Sequence, residues 1–224
     1  MGGSSEAVIM LTRAPFDGSC KTRLSAVLDA RQRQALSQAM LLDEVAHLRE
    51  SGRDILMYCT PAGHDERMRD LVGADVPLFP QADGDLGQRM LEALRHAFGL
   101  GYSRFVLVGS DAPELSAQVV VRAFAALDDS DVVLVPTFDG GYCLVGMSAP
   151  IPEAFPPVRY GGPTVLEQTV AALERDNISY ALFEPVHDID TPQDLRDFVA
   201  RRPAASCPHA WAFVQTSIEA VSRV

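Results

Sequence analysis

The sequence predicts a three-layer α/β/α fold, in which an open, mostly parallel sheet carries helices on both faces. Two observations support this fold class. Short β-branched and aliphatic runs alternate with longer runs whose apolar residues recur at helical spacing, through residue 200. Neither an internal repeat nor a low-complexity segment interrupts the alternation. Such alternation is typical of parallel sheets, because a helix returns the chain to the edge where the next strand begins.

The strands are predicted from short apolar runs. The first, residues 7–12, is apolar along nearly its whole length, as expected of a strand covered on both faces. The run at residues 141–146 follows a turn-prone Asp-Gly-Gly triplet, so it need not run parallel to the others. The predicted strands are residues 7–12, 54–60, 76–79, 104–108, 131–135, 141–146 and 179–183.

The helices are predicted from spacing and from their ends. Residues 30–51 carry apolar residues mostly at helical spacing, and Gly52 follows as a plausible C-cap. Thr191 is expected to be the N-cap of a helix that has Pro192 in its first turn. The predicted helices are residues 30–51, 64–72, 86–98, 116–127, 163–176 and 192–200.

A single domain is predicted over residues 1–202, followed by a C-terminal extension over residues 203–224. Pro203, Cys207 and Pro208 break the alternation at this point. A last helix at residues 211–221 is expected to pack back on the domain, with a contact in a homodimer as the alternative.

The charge of the chain limits its partners. Lys and Arg total 19 against 30 Asp and Glu, which gives a net charge of −11. This charge repels polyanions at long range, so nucleic acid and anionic membranes are not expected partners. Small phosphorylated ligands stay open, because a local basic cluster or a metal ion overrides the overall sign.

The cysteines and the N-terminal sequence predict a cytoplasmic protein. The apolar run near the start is shorter than the ~7–15 residues of a signal-peptide core. No apolar stretch reaches the ~18–20 residues of a membrane span. No C-x-x-C pair occurs, so reduced, buried thiols are expected at all four cysteines. These are Cys20, Cys59, Cys143 and Cys207.

Three cations follow the first predicted strand. Arg13, Lys21 and Arg23 lie within a turn that leads into a helix. Backbone N–H groups at a helix start and nearby cations together suit a polyphosphate. The turn is neither a Walker A loop nor a G-x-G-x-x-G fingerprint. We interpret it as a phosphate-binding loop, with solvated surface charges as the alternative.

Carboxylates follow two later segments. Asp111 leaves the end of a central strand and is a natural ligand for Mg²⁺. Asp188 and Asp190 point the same way if the segment is extended. Two such carboxylates repel each other in a poorly solvated pocket unless a divalent cation lies between them. A helix N-cap at residues 190–192 is the alternative explanation.

Two glycine-rich turns are further candidates. The D-G-G-Y sequence at residues 139–142 lets backbone approach a ligand closely, with a plain hairpin as the alternative. Gly84, Gly87 and Arg89 surround a helix start and suit an anion. The histidines show no metal-binding spacing, and no G-x-S-x-G nucleophile motif occurs.

Taken together, four motifs resemble a known superfamily. They are T-R-A-P-x-x-G-x-x-K-T-R-L, G-S-D-x-P, D-G-G-Y and D-I-D-T-P-x-D-L, in this order. The set resembles the nucleotide-diphospho-sugar transferase superfamily, in its glycosyltransferase-A-like branch of the radical-SAM/selenodomain-associated type. It is more distantly similar to the molybdenum-cofactor nucleotidyltransferases and to 2-phospho-lactate guanylyltransferase. The resemblance covers residues 8–199.

The resemblance implies a GT-A, Rossmann-like fold and a set of site residues. The candidate catalytic residues are Lys21 and Asp111. The candidate nucleotide-binding residues are Thr12, Arg13, Ala14, Lys21, Arg23, Arg89 and Ser110. The candidate ligands for Mg²⁺ or Mn²⁺ are Asp111, Asp188 and Asp190. The candidate acceptor-binding residues are Asp139, Gly140, Gly141 and Tyr142.

The expected function is that of a metal-dependent transferase acting at the phosphates of a nucleotide, with a small-molecule acceptor. Transfer of a sugar from an NDP-sugar is the leading interpretation, following the branch that the motifs resemble. Transfer of NMP from an NTP to a phosphorylated acceptor is the alternative, favoured by the late acidic motif and the basic loop. A non-catalytic nucleotide-binding module is the third. The chain lacks both the L-A-G-G-x-G-x-R loop of typical nucleotidyltransferases and a D-x-D at Asp111.

Overall fold

The computed structural model describes residues 5–16 and 18–217. Within them, seven strands form one sheet: β1 (Glu6–Arg13), β2 (Asp54–Thr60), β3 (Leu78–Pro80), β4 (Arg104–Val108), β5 (Val132–Pro136), β6 (Tyr142–Met147) and β7 (Tyr180–Leu182). The α-helices are α1 (Ala30–Glu50), α2 (Asp65–Val72), α3 (Leu86–Gly99), α4 (Ala117–Ala126), α5 (Val165–Arg175), α6 (Pro192–Arg201) and α7 (Pro208–Thr216).

The strand order is β3-β2-β1-β4-β6-β5-β7. Every pair is parallel except the two made by β6, which runs antiparallel to both β4 and β5. The predicted α/β class and the exception at residues 141–146 are both confirmed. The parallel strands end at one edge of the sheet, and the loops that leave this edge face each other.

Side chains of β1 show why the sheet is covered on both faces. Val8 and Met10 pack in one core cluster with α1, α2 and α4. Ala7, Ile9 and Leu11 pack in a second cluster with α3 and α5, because successive side chains of a strand point to opposite faces. The uniformly apolar sequence of this strand follows from burial on both sides.

The C-terminal segment packs on α1. The carboxylate of Asp43, within α1, accepts hydrogen bonds from the backbone N–H groups of His209 (3.0 Å) and Ala210 (2.8 Å) at the start of α7. Ala210 and Val214 are buried against Leu36 and other apolar side chains of a third cluster. The contact gives α7 an acidic partner at its positive end.

Three elements begin two or three residues from their predicted starts, namely α7, α5 and β3, which begins at Leu78, and the other predicted elements agree to within one residue at each end. Helix α7 begins at Pro208, because proline fits the first turn of a helix even though it breaks one elsewhere. Its predicted end at residue 221 lies outside the described residues. Strand β3 reaches Pro80, which an edge strand tolerates because its outer N–H groups need no partner. Helix α5 begins at Val165, two residues after the predicted start.

Two further findings concern the expected compartment. All four cysteines are free thiols, and three of them are buried. In the part of the chain that the structure describes, no helix combines the length and the apolar character needed to cross a membrane.

Candidate active site

The loops that follow β1 and β4 meet the late acidic segment at the carboxyl edge of the sheet. Strands β1 and β4 are neighbours. The backbone N–H of Ile189 donates to the carbonyl oxygen of Asp111 at 2.9 Å, which joins the two acidic segments. The hydroxyl of Thr12 donates to Ser110 Oγ at 2.9 Å and joins the loops after β1 and β4. Three distant parts of the sequence are thereby fixed next to one another.

Lys21 lies between two of the predicted carboxylates. Its ammonium donates to Asp111 Oδ1 and, at 2.8 Å, to Asp190 Oδ1, and its side chain is only 5% exposed. Burial alone would lower the pKa of Lys21, but the charges of Asp111 and Asp190 outweigh it and raise that pKa above its ordinary value. The ammonium therefore stays charged at neutral pH.

The backbone at Lys21 is strained. Its φ of 49° is in the left-handed region, which costs a residue with a Cβ about 1–2 kcal/mol. The short 3₁₀ turn at Thr22–Leu24 follows directly. The strained residue is the one that makes both ion pairs, and strain of this kind is common at binding and catalytic sites.

Asp190 is held from both sides. Burial would raise the pKa of Asp190, yet the charges of Lys21 and Arg23 lower it below its ordinary value. Its backbone N–H donates to Asp194 Oδ2 at 3.0 Å, and the N–H of Thr191 donates to the same oxygen at 2.7 Å. Thr191 caps α6, as predicted. The N-cap, which was the alternative explanation for residues 190–192, therefore positions Asp190 and is compatible with a role of its carboxylate in the site.

Asp194→Ala is expected to lower the free energy of unfolding by about 1–2 kcal/mol, because it removes half of the capping box and leaves two N–H groups without their acceptor. Asp197→Ala, three residues later on the exposed side of α6, is the control and is expected to change stability by less than about 0.5 kcal/mol. Urea unfolding of both variants measures the difference. Equal effects would contradict this role of Asp194.

Asp188 lies in a different environment from Asp190. Burial, followed by the charges of Asp139 and Asp190, raises the pKa of Asp188 to about 6. Glu44, buried in α1, is similar: burial, followed by the charge of Asp111, raises its pKa well above the ordinary value. Burial and neighbouring carboxylates thus raise the pKa of both acids.

Two cavities meet at these carboxylates. The cationic cavity, of about 450 Å³, contains the predicted nucleotide-binding residues Thr12, Arg13, Lys21, Arg23, Arg89 and Ser110. The acidic cavity, of about 270 Å³, contains Asp111, Asp139, Gly141, Tyr142, Asp188 and Asp190. Asp111 and Asp190 line both cavities, so the pair marks the junction between them.

Two predicted site residues line neither cavity. Ala14 is fully buried, and its N–H donates to the carbonyl oxygen of Thr60 at 2.8 Å, so it belongs to the core beneath the loop. Gly140 has a φ of 88°, and a Cβ built there would lie 2.0 Å from the carbonyl oxygen of Pro163. Its glycine is required by this close approach of backbone to the start of α5.

The turn before β6 aims Asp139 inward. The Asp139 carboxylate accepts from Thr137 Oγ1 at 2.6 Å and from the N–H of Gly141 at 2.9 Å. Tyr142 and Tyr160 form an aromatic wall of the acidic cavity. Burial, followed by the neighbouring Tyr160, raises the pKa of the Tyr142 hydroxyl well above its ordinary value. These phenols are neutral at physiological pH.

The three predicted metal ligands are not brought onto one point. Among the described residues, no group of three or more His, Cys, Asp or Glu side chains is close enough to hold one metal ion. Lys21 joins Asp111 to Asp190, whereas Asp188 is influenced most by Asp139 after burial itself. The donor chemistry nevertheless fits a hard cation, since four carboxylates line a single cavity.

Among the site residues that sequence reasoning missed are Gln81 and Tyr160. Gln81 lines the cationic cavity and follows β3 directly, so the rule applied to the ends of the other strands could have found it. Tyr160 lies in an irregular segment between β6 and α5, where no periodic signal points to it.

This arrangement, a basic loop after β1 facing carboxylates after β4 on a mostly parallel sheet, defines a nucleotide-dependent transferase of the nucleotide-diphospho-sugar transferase superfamily. A solved protein from Desulfovibrio desulfuricans G20, provisionally assigned to the nucleotide-diphospho-sugar transferases, superposes with a TM-score of 0.91 at 27% identity, covering 98% of both chains. The chain belongs to the family described as "Uncharacterized protein conserved in bacteria (DUF2064)", whose pattern matches residues 41–162.

Two curated relatives indicate which kind of transferase this chain resembles. The 3-phospho-D-glycerate guanylyltransferase of Phenylobacterium zucineum (strain HLK1) is 33% identical over 190 residues, covering 82% of this chain and 85% of the relative. The 2-phospho-L-lactate guanylyltransferase of Methanopyrus kandleri is 30% identical over 199 residues, covering 84% and 90%. These relatives favour the nucleotidyl alternative over the glycosyl transfer that the sequence analysis ranked first.

Proposed function

We propose that the protein transfers GMP from GTP to the phosphate of a small phosphorylated hydroxycarboxylic acid and releases pyrophosphate. The observation that carries the proposal is the junction of the two cavities at Asp111 and Asp190, with Lys21 buried between them. A cationic cavity suits a triphosphate, and a second cavity adjoining it suits an acceptor. Both relatives described above are named as guanylyltransferases of acids of this kind.

In the proposed reaction, a phosphate oxygen of the acceptor attacks the α-phosphorus of GTP. The bond between this phosphorus and the oxygen that bridges it to the β-phosphate breaks, and pyrophosphate leaves with the bonding electrons. The chain itself forms no covalent bond, so its contribution is positioning and charge stabilisation. Lys21, together with Arg13 and Arg23 along the same loop, would stabilise the negative charge on the phosphates.

The acidic cavity poses a charge problem for a phosphorylated acceptor, because four carboxylates line it. We propose that one or two of the carboxylates of Asp111, Asp188 and Asp190 bind Mg²⁺ or Mn²⁺ there, with phosphate oxygens and water as the other ligands. When bound, the ion would neutralise phosphate oxygens and act as a Lewis acid. The four carboxylates that line this cavity support a cation at this place.

The decisive assay follows phosphorus-containing products. The protein is incubated with GTP, Mg²⁺ and either 3-phospho-D-glycerate or 2-phospho-L-lactate, and pyrophosphate and the guanylylated acid are measured. Pyrophosphate in equal amount to a guanylylated acid supports the proposal. Release of GDP from a GDP-sugar, without pyrophosphate from GTP, would instead support glycosyl transfer. Binding of nucleotide without turnover across acceptors, and without a metal requirement, would support the non-catalytic module.

Asp111→Asn is expected to weaken Mg²⁺-dependent GTP binding by about 10- to 100-fold, as loss of one charged ligand or hydrogen bond does. The melting temperature is expected to change little, because the Asp111 side chain is 55% exposed and asparagine keeps one acceptor oxygen for Lys21. Titration calorimetry with and without Mg²⁺ measures the effect. Asp128→Asn, at an exposed ion pair with Arg104, is the control. Unchanged binding in Asp111→Asn would show that Asp111 is not a ligand.

A further inference from the structure

Gln81 lies at the end of the cationic cavity away from the acidic one. It follows β3, whereas Asp111 follows β4, and β2 and β1 lie between these strands in the sheet. Gln81 lines only the cationic cavity of the two, while Asp111 lines both. If the phosphates of GTP lie at the Lys21 end, as proposed above, the nucleoside extends toward β3 and Gln81.

The side-chain amide of Gln81 is fixed in one orientation. Its Nε2 donates to the carbonyl oxygens of Thr12 and Tyr58, both at 3.0 Å. Its backbone N–H donates to the carbonyl oxygen of Cys59 at 3.1 Å. Backbone carbonyls only accept hydrogen bonds, so the NH₂ group must face them and the amide cannot be flipped. Both amide hydrogens are used in holding the side chain to the ends of β1 and β2.

The other end of the amide is left as an acceptor. Among the described residues, no group donates a hydrogen bond to Gln81 Oε1, and this oxygen is not a buried atom without a partner. It is therefore exposed, on a residue that lines the cationic cavity. An acceptor that is already fixed loses little conformational entropy when a ligand donates to it.

We propose that Gln81 determines base specificity, with Oε1 accepting a hydrogen bond from the N1–H and 2-amino edge of guanine. This inference rests on GTP as the proposed donor. Guanine carries adjacent N–H donors on this edge, whereas adenine carries an unprotonated ring nitrogen at position 1. A fixed carbonyl oxygen accepts a hydrogen bond from the guanine N–H groups and repels the unprotonated ring nitrogen of adenine. One contact therefore distinguishes the two purines.

Gln81→Met tests the proposal, because methionine keeps the length of the side chain and removes the acceptor. Affinities for GTP and ATP are measured by titration calorimetry with Mg²⁺ and without acceptor. The wild-type protein is expected to prefer GTP. The variant is expected to lose about 10- to 100-fold in GTP affinity, with ATP affinity changed by less than about threefold. Retained ATP binding then shows that the variant is folded. Gln118→Met, at an exposed position on α4, is the control.

An unchanged ratio of GTP to ATP affinity in Gln81→Met, or an equal loss for both nucleotides, would overturn the proposal. So would a wild-type protein without a preference for GTP. Binding is measured without acceptor, so the two proposals fail separately. A GTP preference that depends on Gln81, in a protein that releases no pyrophosphate, would leave the base contact standing and reject the guanylyl transfer.

Discussion

Lys21→Ala is expected to lower kcat/KM for GTP by about 100- to 1000-fold, the effect of removing one preorganised charge-stabilising donor from an active site. The loss should be larger for triphosphate than for nucleoside, so GTP affinity falls while guanosine affinity is nearly kept. The reason is geometric, since Lys21 lies where the two cavities meet. Steady-state kinetics and calorimetry with both ligands measure the two effects.

The matched control for Lys21→Ala is Arg31→Ala, which removes an exposed cation from α1. It changes the net charge by the same amount and is expected to leave kcat/KM within about twofold, since surface substitutions outside such sites have small effects. Equal losses for GTP and guanosine in Lys21→Ala would argue against phosphate contact. The variant also removes the charge that lowers the pKa of Asp190, so this pKa is expected to rise.

Gly140→Ala is expected to lower the free energy of unfolding by about 2–5 kcal/mol, from about 1–2 kcal/mol of left-handed strain and about 1–3 kcal/mol of overpacking. The new Cβ would lie 2.0 Å from the carbonyl oxygen of Pro163. This neighbour is backbone and cannot turn aside as a flexible side chain does. Urea unfolding measures the loss of stability.

Gly63→Ala separates the two causes of this loss. Gly63 has a similar φ of +92°, but nothing lies within 4 Å of a Cβ built there. It is expected to lose only the strain, about 1–2 kcal/mol. If both variants lose the same amount, the contact with Pro163 costs nothing and the structural explanation of Gly140 is wrong.

The strands and most helices could be predicted because burial leaves a simple pattern in the sequence. Strands β2 and β4 were predicted to the residue, since each is an apolar run bounded by polar or turn residues. The larger errors, at the starts of α7, β3 and α5, occur next to prolines. Pro208 begins α7 in the structure although its sequence context indicates a break, and only the contacts of α7 with α1 decide between the two.

Which polar segments meet could also be predicted, because parallel strands end at the same edge of the sheet. Direct contact between Lys21 and the carboxylates of Asp111 and Asp190 could not. The sequence analysis assigned the basic loop to phosphates and the acids to a metal ion, whereas in the structure the ammonium of Lys21 joins two of the acids. Lys21 has a left-handed backbone at this contact. A lysine in the sequence does not indicate a left-handed conformation, so the contact could not be predicted.

Gly140 shows a second limit. The turn-prone sequence indicated that glycine is required there. It did not indicate the reason, because close approach of a ligand and close approach of another backbone segment both require glycine. Only the position of Pro163, 23 residues later in sequence, distinguishes the two. For Gln81 the position directly after a strand pointed to the site. The residue type did not, because a single glutamine is not a motif for any particular chemistry.

The lysine content of the chain makes the buried ammonium of Lys21 a convenient site for labelling. Lys21 is the only lysine among 224 residues, and the other 18 of the 19 Lys and Arg residues are arginines. Reductive methylation with isotope-enriched formaldehyde would therefore introduce one side-chain signal, beside any from the α-amino group. Only the neutral amine attacks formaldehyde, and the two carboxylate partners make this form scarce because they raise the pKa of Lys21. The labelling rate of this one nitrogen would report directly on how firmly the acids hold it.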